Sequence, residues 1–107
     1  MSDGVSLSVL DIQRAVCLEF NIDQIEMTSD RRAKVVARPR QVAMYLAKRL
    51  TRQSLPAIGR SFAKKDHTTV MWAVKRIATL ITEDPIFGMR VTALEARLIS
   101  PELVEHY

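Results

Sequence analysis

In the stretch FAKKDHTTVMWAVKRI, residues 62–77, the polar side chains of Lys64, Lys65, Asp66, His67, Thr68 and Thr69 stand directly before an apolar helical pattern. Such groups are costly to bury and unnecessary for building a helix, so their chemistry points outward. Asp can accept from the amino group of cytosine, His and Thr can hydrogen-bond base edges, and a Thr methyl can pack on the methyl of thymine. The plainer readings stay open beside these: Asp66 is a natural helix N-cap, and Thr68 and Thr69 are tolerated in any first turn. A metal site does not assemble here, because His106 is the only other histidine and Cys17 the only thiol. Paired carboxylates and a nucleophile–base pair are equally missing, so neither an enzyme nor a cofactor is expected.

The elements that must carry these residues read as helices almost throughout. SLSVLDIQRAVCLEF places Val9, Ile12, Val16 and Leu18–Phe20 close to a 3.6-residue period, with Ser8 as N-cap. NIDQIEM reads as a turn with one short helical turn, and TSDRRAKVVA as a basic connector without a clear period. RPRQVAMYLAKRLTR sets Ala43, Leu46, Ala47 and Leu50 on one face, with Pro39 acceptable only in its first turn. Ser54 caps a short helix, LPAIGRSF. From Asp66 a longer helix runs to about Glu83, with Val70, Ala73, Val74, Ile77 and Ile81 facing inward and Thr68, Trp72, Lys75, Arg76 and Thr79 on the other face. Asp84 and Pro85 restart the chain into a last helix near residues 86–99. No alternating stretch competes, so the expected fold is all-α, a single domain over residues 1–107. A short helix, a tight turn and a longer helix with a polar leading edge form a helix-turn-helix over about residues 55–82.

Charge supports the same direction. Residues 31–76 hold thirteen of the sixteen Lys and Arg residues and one acid, Asp66, giving this centre about +12 between flanks of −5 and −3. That concentrated field is the footprint of a polyanion binder. Arg38, Gln41, Tyr45, Lys48 and Arg52 fall at i, i+3, i+7, i+10 and i+14, a largely basic stripe for which phosphates are the simplest partner. Trp72 is unusual on an exposed face and invites a contact with DNA or a partner protein.

The blocks ARPRQVAMYLAKRLTRQSLPAIGRSF and KKDHTTVMWAVKRI resemble the C-terminal DNA-binding domain (domain IV) of the bacterial replication initiator DnaA, and the likeness runs from about Ile12 to Leu98. It implies a Trp-repressor-like helical domain that binds DnaA boxes, short asymmetric A/T-rich duplex sites related to TTATNCACA. Carried over by motif, Asp66, His67 and Thr68 would read major-groove base edges, with Thr69 alongside. Arg32 would enter the adjacent minor groove, whose narrow A/T-rich form attracts a guanidinium. Arg40, Gln41, Lys48, Ser54, Leu55 and Pro56 match positions that hold the DNA backbone, and Arg38, Lys64, Lys65, Trp72 and Arg76 join them as expected backbone contacts. Three departures bear on site preference: Ala63, Lys64 and Lys65 stand where the family usually has two glycines and an arginine, Trp72 where it has a histidine, and Asp30 where the connector's first basic residue belongs.

No G-x-x-x-x-G-K-S/T phosphate loop is present, so the ATPase part of an initiator is not expected in this chain. The opening MSDG and the acidic tail PELVEHY lean toward a stand-alone protein over an excised domain. The N-terminus carries Asp3 and no basic lead, which argues against a signal peptide, and no apolar run is long enough to span a membrane. Cys17 cannot pair within the chain and reads as a small buried hydrophobe. These features point to the cytoplasm, in association with the nucleoid. The expected function is binding of duplex DNA at DnaA-box-like sites in replication initiation or its regulation, with replication-regulating proteins as further partners. The alternatives are a stand-alone transcriptional regulator, or a protein-interaction module that kept the fold and lost box recognition.

Overall fold

Each helix begins where a side chain can satisfy its orphan backbone donors, with one exception. The computed structural model describes residues 7–100; the opening MSDG, the tail PELVEHY and His106 lie outside them. Helix α1, Val9–Phe20, starts in a capping box: Ser8 Oγ accepts from the Asp11 N–H at 3.0 Å, and Asp11 Oδ2 accepts from the Ser8 N–H at 3.1 Å. It ends at Asn21 in a left-handed conformation with φ 55°, followed by a short 3-10 turn at Gln24–Met27. Helices α3 (Leu55–Ser61), α4 (His67–Glu83) and α5 (Pro85–Ile99) are capped by Ser54, Asp66 and Asp84 in turn. Among the described residues there is no strand, and the fold is all-α.

The exception is α2, Lys34–Leu50, which has no side-chain cap and carries Pro39 at its sixth position. The expected start at Arg38, with Pro39 in the first turn and an irregular AKVVA before it, is therefore corrected. Proline has no N–H to bond the carbonyl of Val35, four residues back. Val35 is 67% exposed, so water can serve that carbonyl, and Val36 is buried at 4%, which holds the additional turn in place. Burial against distant residues outweighs a local helix-breaking signal here.

Helix α2 is central, packing on α1 at one side and along α4 at the other, while α5 closes over α1 and α4. The core gathers Ile12 and Val16 of α1, Val42, Ala43 and Leu46 of α2, Ile58 and Phe62 at α3, Val70 and Ile77 of α4, and Val91 and Leu94 of α5. Leu18, expected among the inward residues, is 86% exposed. Two residues past Val16 is a rotation of about 200° on a helix, which carries Leu18 to the far side. Its neighbour Glu19 holds α5 from outside, accepting from Arg90 Nε at 2.9 Å and Arg97 Nη2 at 2.7 Å. A part-buried polar bridge joins α1 to the end of α3: Gln13 Nε2 donates to the Ser61 carbonyl at 3.0 Å, and Gln13 Oε1 accepts from Gln24 Nε2 at 3.0 Å.

Candidate nucleic-acid interface

The turn between α3 and α4 is built from close backbone approach and two unusual conformations. The Gly59 carbonyl accepts from the N–H groups of Phe62 at 3.0 Å and Lys65 at 2.9 Å, folding the chain back on α3. Phe62 is fully buried and anchors this reversal. Ala63 and Lys64 both adopt left-handed φ, 64° and 60°, where an L side chain is strained and glycine is not. The glycine-to-Ala63 and glycine-to-Lys64 departures thus leave the geometry of the turn in place under local strain.

That turn delivers Asp66 as N-cap of α4, its Oδ1 accepting from the Thr68 N–H at 2.9 Å. A carboxylate has two oxygens, so capping with one leaves the other for a ligand. The side chains of Asp66 and His67 are 67% and 61% exposed, with His67 Nδ1 3.6 Å from Asp66 Oδ1. Thr69 is exposed and Thr68 half-buried beside them, so the four form one outward polar edge on the first turn of α4.

One turn further on, Trp72 is 60% exposed, and Lys75 Nζ stands 5.3 Å from its ring centroid. This places a cation on the aromatic face, a contact signalled in the sequence only by the three-residue spacing. Between α2 and α4 lies an open groove of about 490 Å³, lined by Ala37, Gln41, Lys65, Thr69, Trp72 and Arg76 among others. Arg38 Nη1 donates to Gln41 Oε1 at 3.2 Å. Burial, and after it the Arg76 charge, pushes the Arg38 guanidinium below its ordinary value. The structure therefore brings Gln41, Thr69, Trp72 and Arg76 together along one groove, with Arg38 bonded to Gln41.

The rest of the expected stripe along α2 divides. Lys48 is exposed on the last turn, but Tyr45 is half-buried against the core with Arg49 5.6 Å from its ring, and Arg52 lies beyond the end of the helix. Tyr45 sits two turns past Arg38, where it lines a surface depression with Ile81 of α4 and Val91 of α5. At α3, Ser54 is occupied as the cap, its Oγ accepting from the Ala57 N–H at 3.2 Å; Leu55 packs against the core and Pro56 is exposed.

Arg40 and Lys65 depart most from expectation. Arg40 is 7% exposed and points into the protein, where Nε donates to the Glu26 carbonyl at 2.8 Å, Nη1 to the Arg31 carbonyl at 3.1 Å and Nη2 to Ser29 Oγ at 2.8 Å. Its guanidinium organises the connector, while the residue also lines the groove between α2 and α4. Lys65, with its side chain 17% exposed, donates to Asp30 Oδ1 at 2.9 Å, and its Nζ lies 3.4 Å from the Ser29 carbonyl. Lys64 and Arg32 remain exposed. Nothing in the local pattern distinguishes Arg40 from the outward arginines around it; the signal lies in carbonyls nine and fourteen residues earlier.

Residues 9–77 match the family described as bacterial dnaA protein helix-turn-helix. The chain is 52% identical over 92 residues to the chromosomal replication initiator protein DnaA of Gluconobacter oxydans, an alignment covering 86% of this chain and 19% of that protein. It is 48% identical over 92 residues to the protein of the same name from a Bradyrhizobium species, with the same coverage of 86% and 19%. To that of Rhodopseudomonas palustris it is 45% identical over 97 residues, covering 91% of this chain and 21% of the relative. The chain thus spans about a fifth of the length of these curated relatives.

Proposed function

Because the chain belongs to the bacterial DnaA helix-turn-helix family, we propose that it binds duplex DNA sequence-specifically at DnaA-box-like sites, in replication initiation or its regulation. The observation that carries this reading is the polar edge of Asp66, His67, Thr68 and Thr69 on the first turn of α4, exposed at Asp66, His67 and Thr69, with Thr69 lining the same groove as Arg76. In the proposed complex α4 enters the major groove with that edge against the bases, and Arg32 reaches the neighbouring minor groove. Arg38, Gln41, Lys48, Lys64 and Arg76 meet phosphates on either side, and the start of α3 at Ser54–Pro56 offers further backbone contact. Such a protein works on the nucleoid in the cytoplasm. A separate transcriptional role would use the same interface.

Binding of a duplex containing TTATNCACA, measured beside a shuffled duplex of equal composition, tests the reading. His67→Ala and Thr68→Ala should each lose about 1–3 kcal/mol on the box and leave weak binding to the shuffled duplex nearly intact. Equal losses on both duplexes would show that these side chains do not read bases.

Trp72 supplies an independent readout. An indole has one N–H donor and a large apolar face, so at the DNA edge it can donate to a phosphate or pack on sugars and a thymine methyl. As this is the only Trp of the chain, saturating box duplex should change its emission and shield it from a soluble quencher. Identical quenching with and without duplex would remove Trp72 from the interface and favour a partner protein at this position.

A further inference from the structure

An acid at the edge of a DNA-facing basic connector repels phosphate, and Asp30 is such an acid. Its side chain is 95% exposed, so burial does not require it, and its carboxyl is held below the usual carboxylate range first by the hydrogen bond from Lys65. Exposed ion pairs contribute little to stability, so the fold itself has small need of this one. Its effect is geometric. Asp30 lies two residues before Arg32, and Lys65 lies one residue before Asp66, so this 2.9 Å bond, beside the longer 3.4 Å contact of the same ammonium with the Ser29 carbonyl, joins the two arms of the DNA-facing surface across 35 positions of sequence. Arg40 already fastens the connector to α2 through Glu26, Ser29 and Arg31. The Lys65 ammonium adds the second anchor, to the lead-in of α4.

We propose that the Asp30–Lys65 pair is a positioning device, setting Arg32 in register with the reading turn of α4 so that both grooves are engaged by one rigid surface. This rests on the DNA-binding reading above. A surface held in its binding geometry loses less freedom on association, and the gain falls on the site that satisfies both arms together. Random duplexes satisfy only the phosphate contacts and gain nothing from the register.

The proposal separates from simple charge by sign. Removing an acid near a polyanion raises affinity for every sequence alike and leaves the ratio of box to shuffled affinity unchanged. A lost register lowers that ratio even as shuffled binding strengthens. Asp30→Ala removes both the charge and the acceptor; Asp30→Asn removes the charge and keeps an oxygen that the Lys65 ammonium can still reach. The expected result is a ratio reduced about fivefold or more in Asp30→Ala and held within about twofold of the parent in Asp30→Asn, with the fold retained in both because the position is exposed. Equal ratios in the two variants, whether at or below the parent value, overturn the proposal. A parent protein that prefers no duplex at all overturns the DNA reading together with it, whereas a parental preference kept in full by Asp30→Ala overturns only the role of the pair.

Discussion

Gly59→Ala should lower stability by about 3 kcal/mol and weaken DNA binding with it, although alanine is the better helix former and Gly59 has no left-handed φ to protect. A Cβ added at Gly59 would sit 2.0 Å from the Lys65 carbonyl oxygen and 3.1 Å from its carbon, with Val70 Cγ2 at 3.7 Å. The obstruction is backbone, which cannot rotate away as a side-chain tip would. Relief requires α3 and the lead-in of α4 to part by more than about 1 Å, beyond what a close-packed interior absorbs without loss. The same movement strains the bonds from the Phe62 and Lys65 N–H groups to the Gly59 carbonyl, each worth about 1 kcal/mol. In a domain of this size 3 kcal/mol corresponds to a fall of roughly 12–24 °C in Tm. Thermal unfolding of Gly59→Ala beside the parent decides the matter. An unchanged or raised Tm would mean that propensity outweighs the contact and that the helix-turn-helix does not depend on this approach.

The second large effect concerns Arg40. Arg40→Ala removes three donors at once, from the Glu26 carbonyl, the Arg31 carbonyl and Ser29 Oγ, and should lower stability by about 3 kcal/mol. Arg40→Lys should recover little of this, because an ammonium is a point charge and cannot reproduce the planar fork. Discrimination between box and shuffled duplex should fall as the connector carrying Arg32 loosens. The salt dependence should stay nearly unchanged, since a guanidinium turned inward releases no counterion from DNA. Lys48→Ala and Arg76→Ala should behave in the opposite way, lowering the log–log salt slope by about 0.9 for each phosphate lost and changing stability by less than about 0.5 kcal/mol. If Arg40→Ala flattens the salt slope by that amount with the Tm intact, its side chain turns outward to a phosphate and the clamp assigned to it is wrong.

The residues that proved legible without coordinates are those whose partners lie within one helical turn. Ser8, Ser54 and Asp66 cap their helices through bonds to residues two or three positions ahead, and Val70, Ala73 and Ile77 are buried together because the helical period alone aligns them. Such interactions are spelled by spacing, and so the all-α class, the helix pair around residues 55–82 and the outward edge at Asp66–Thr69 follow from local pattern. The misplaced residues have partners far along the chain. The start of α2 at Lys34 needs the burial of Val36 to tolerate Pro39, and Tyr45 leaves its stripe because it packs against the core. Arg40 and Lys65 carry the same charge and length as the outward cations beside them. Their inward and sideways aim is set by carbonyls and a carboxylate that chain folding alone brings within 3.5 Å. Gly59 likewise reads as an ordinary weak helix residue until the lead-in to α4 lies against it. Side-chain type and periodicity act over a few ångströms of helix, whereas the direction of a long cationic side chain depends on which distant backbone it meets.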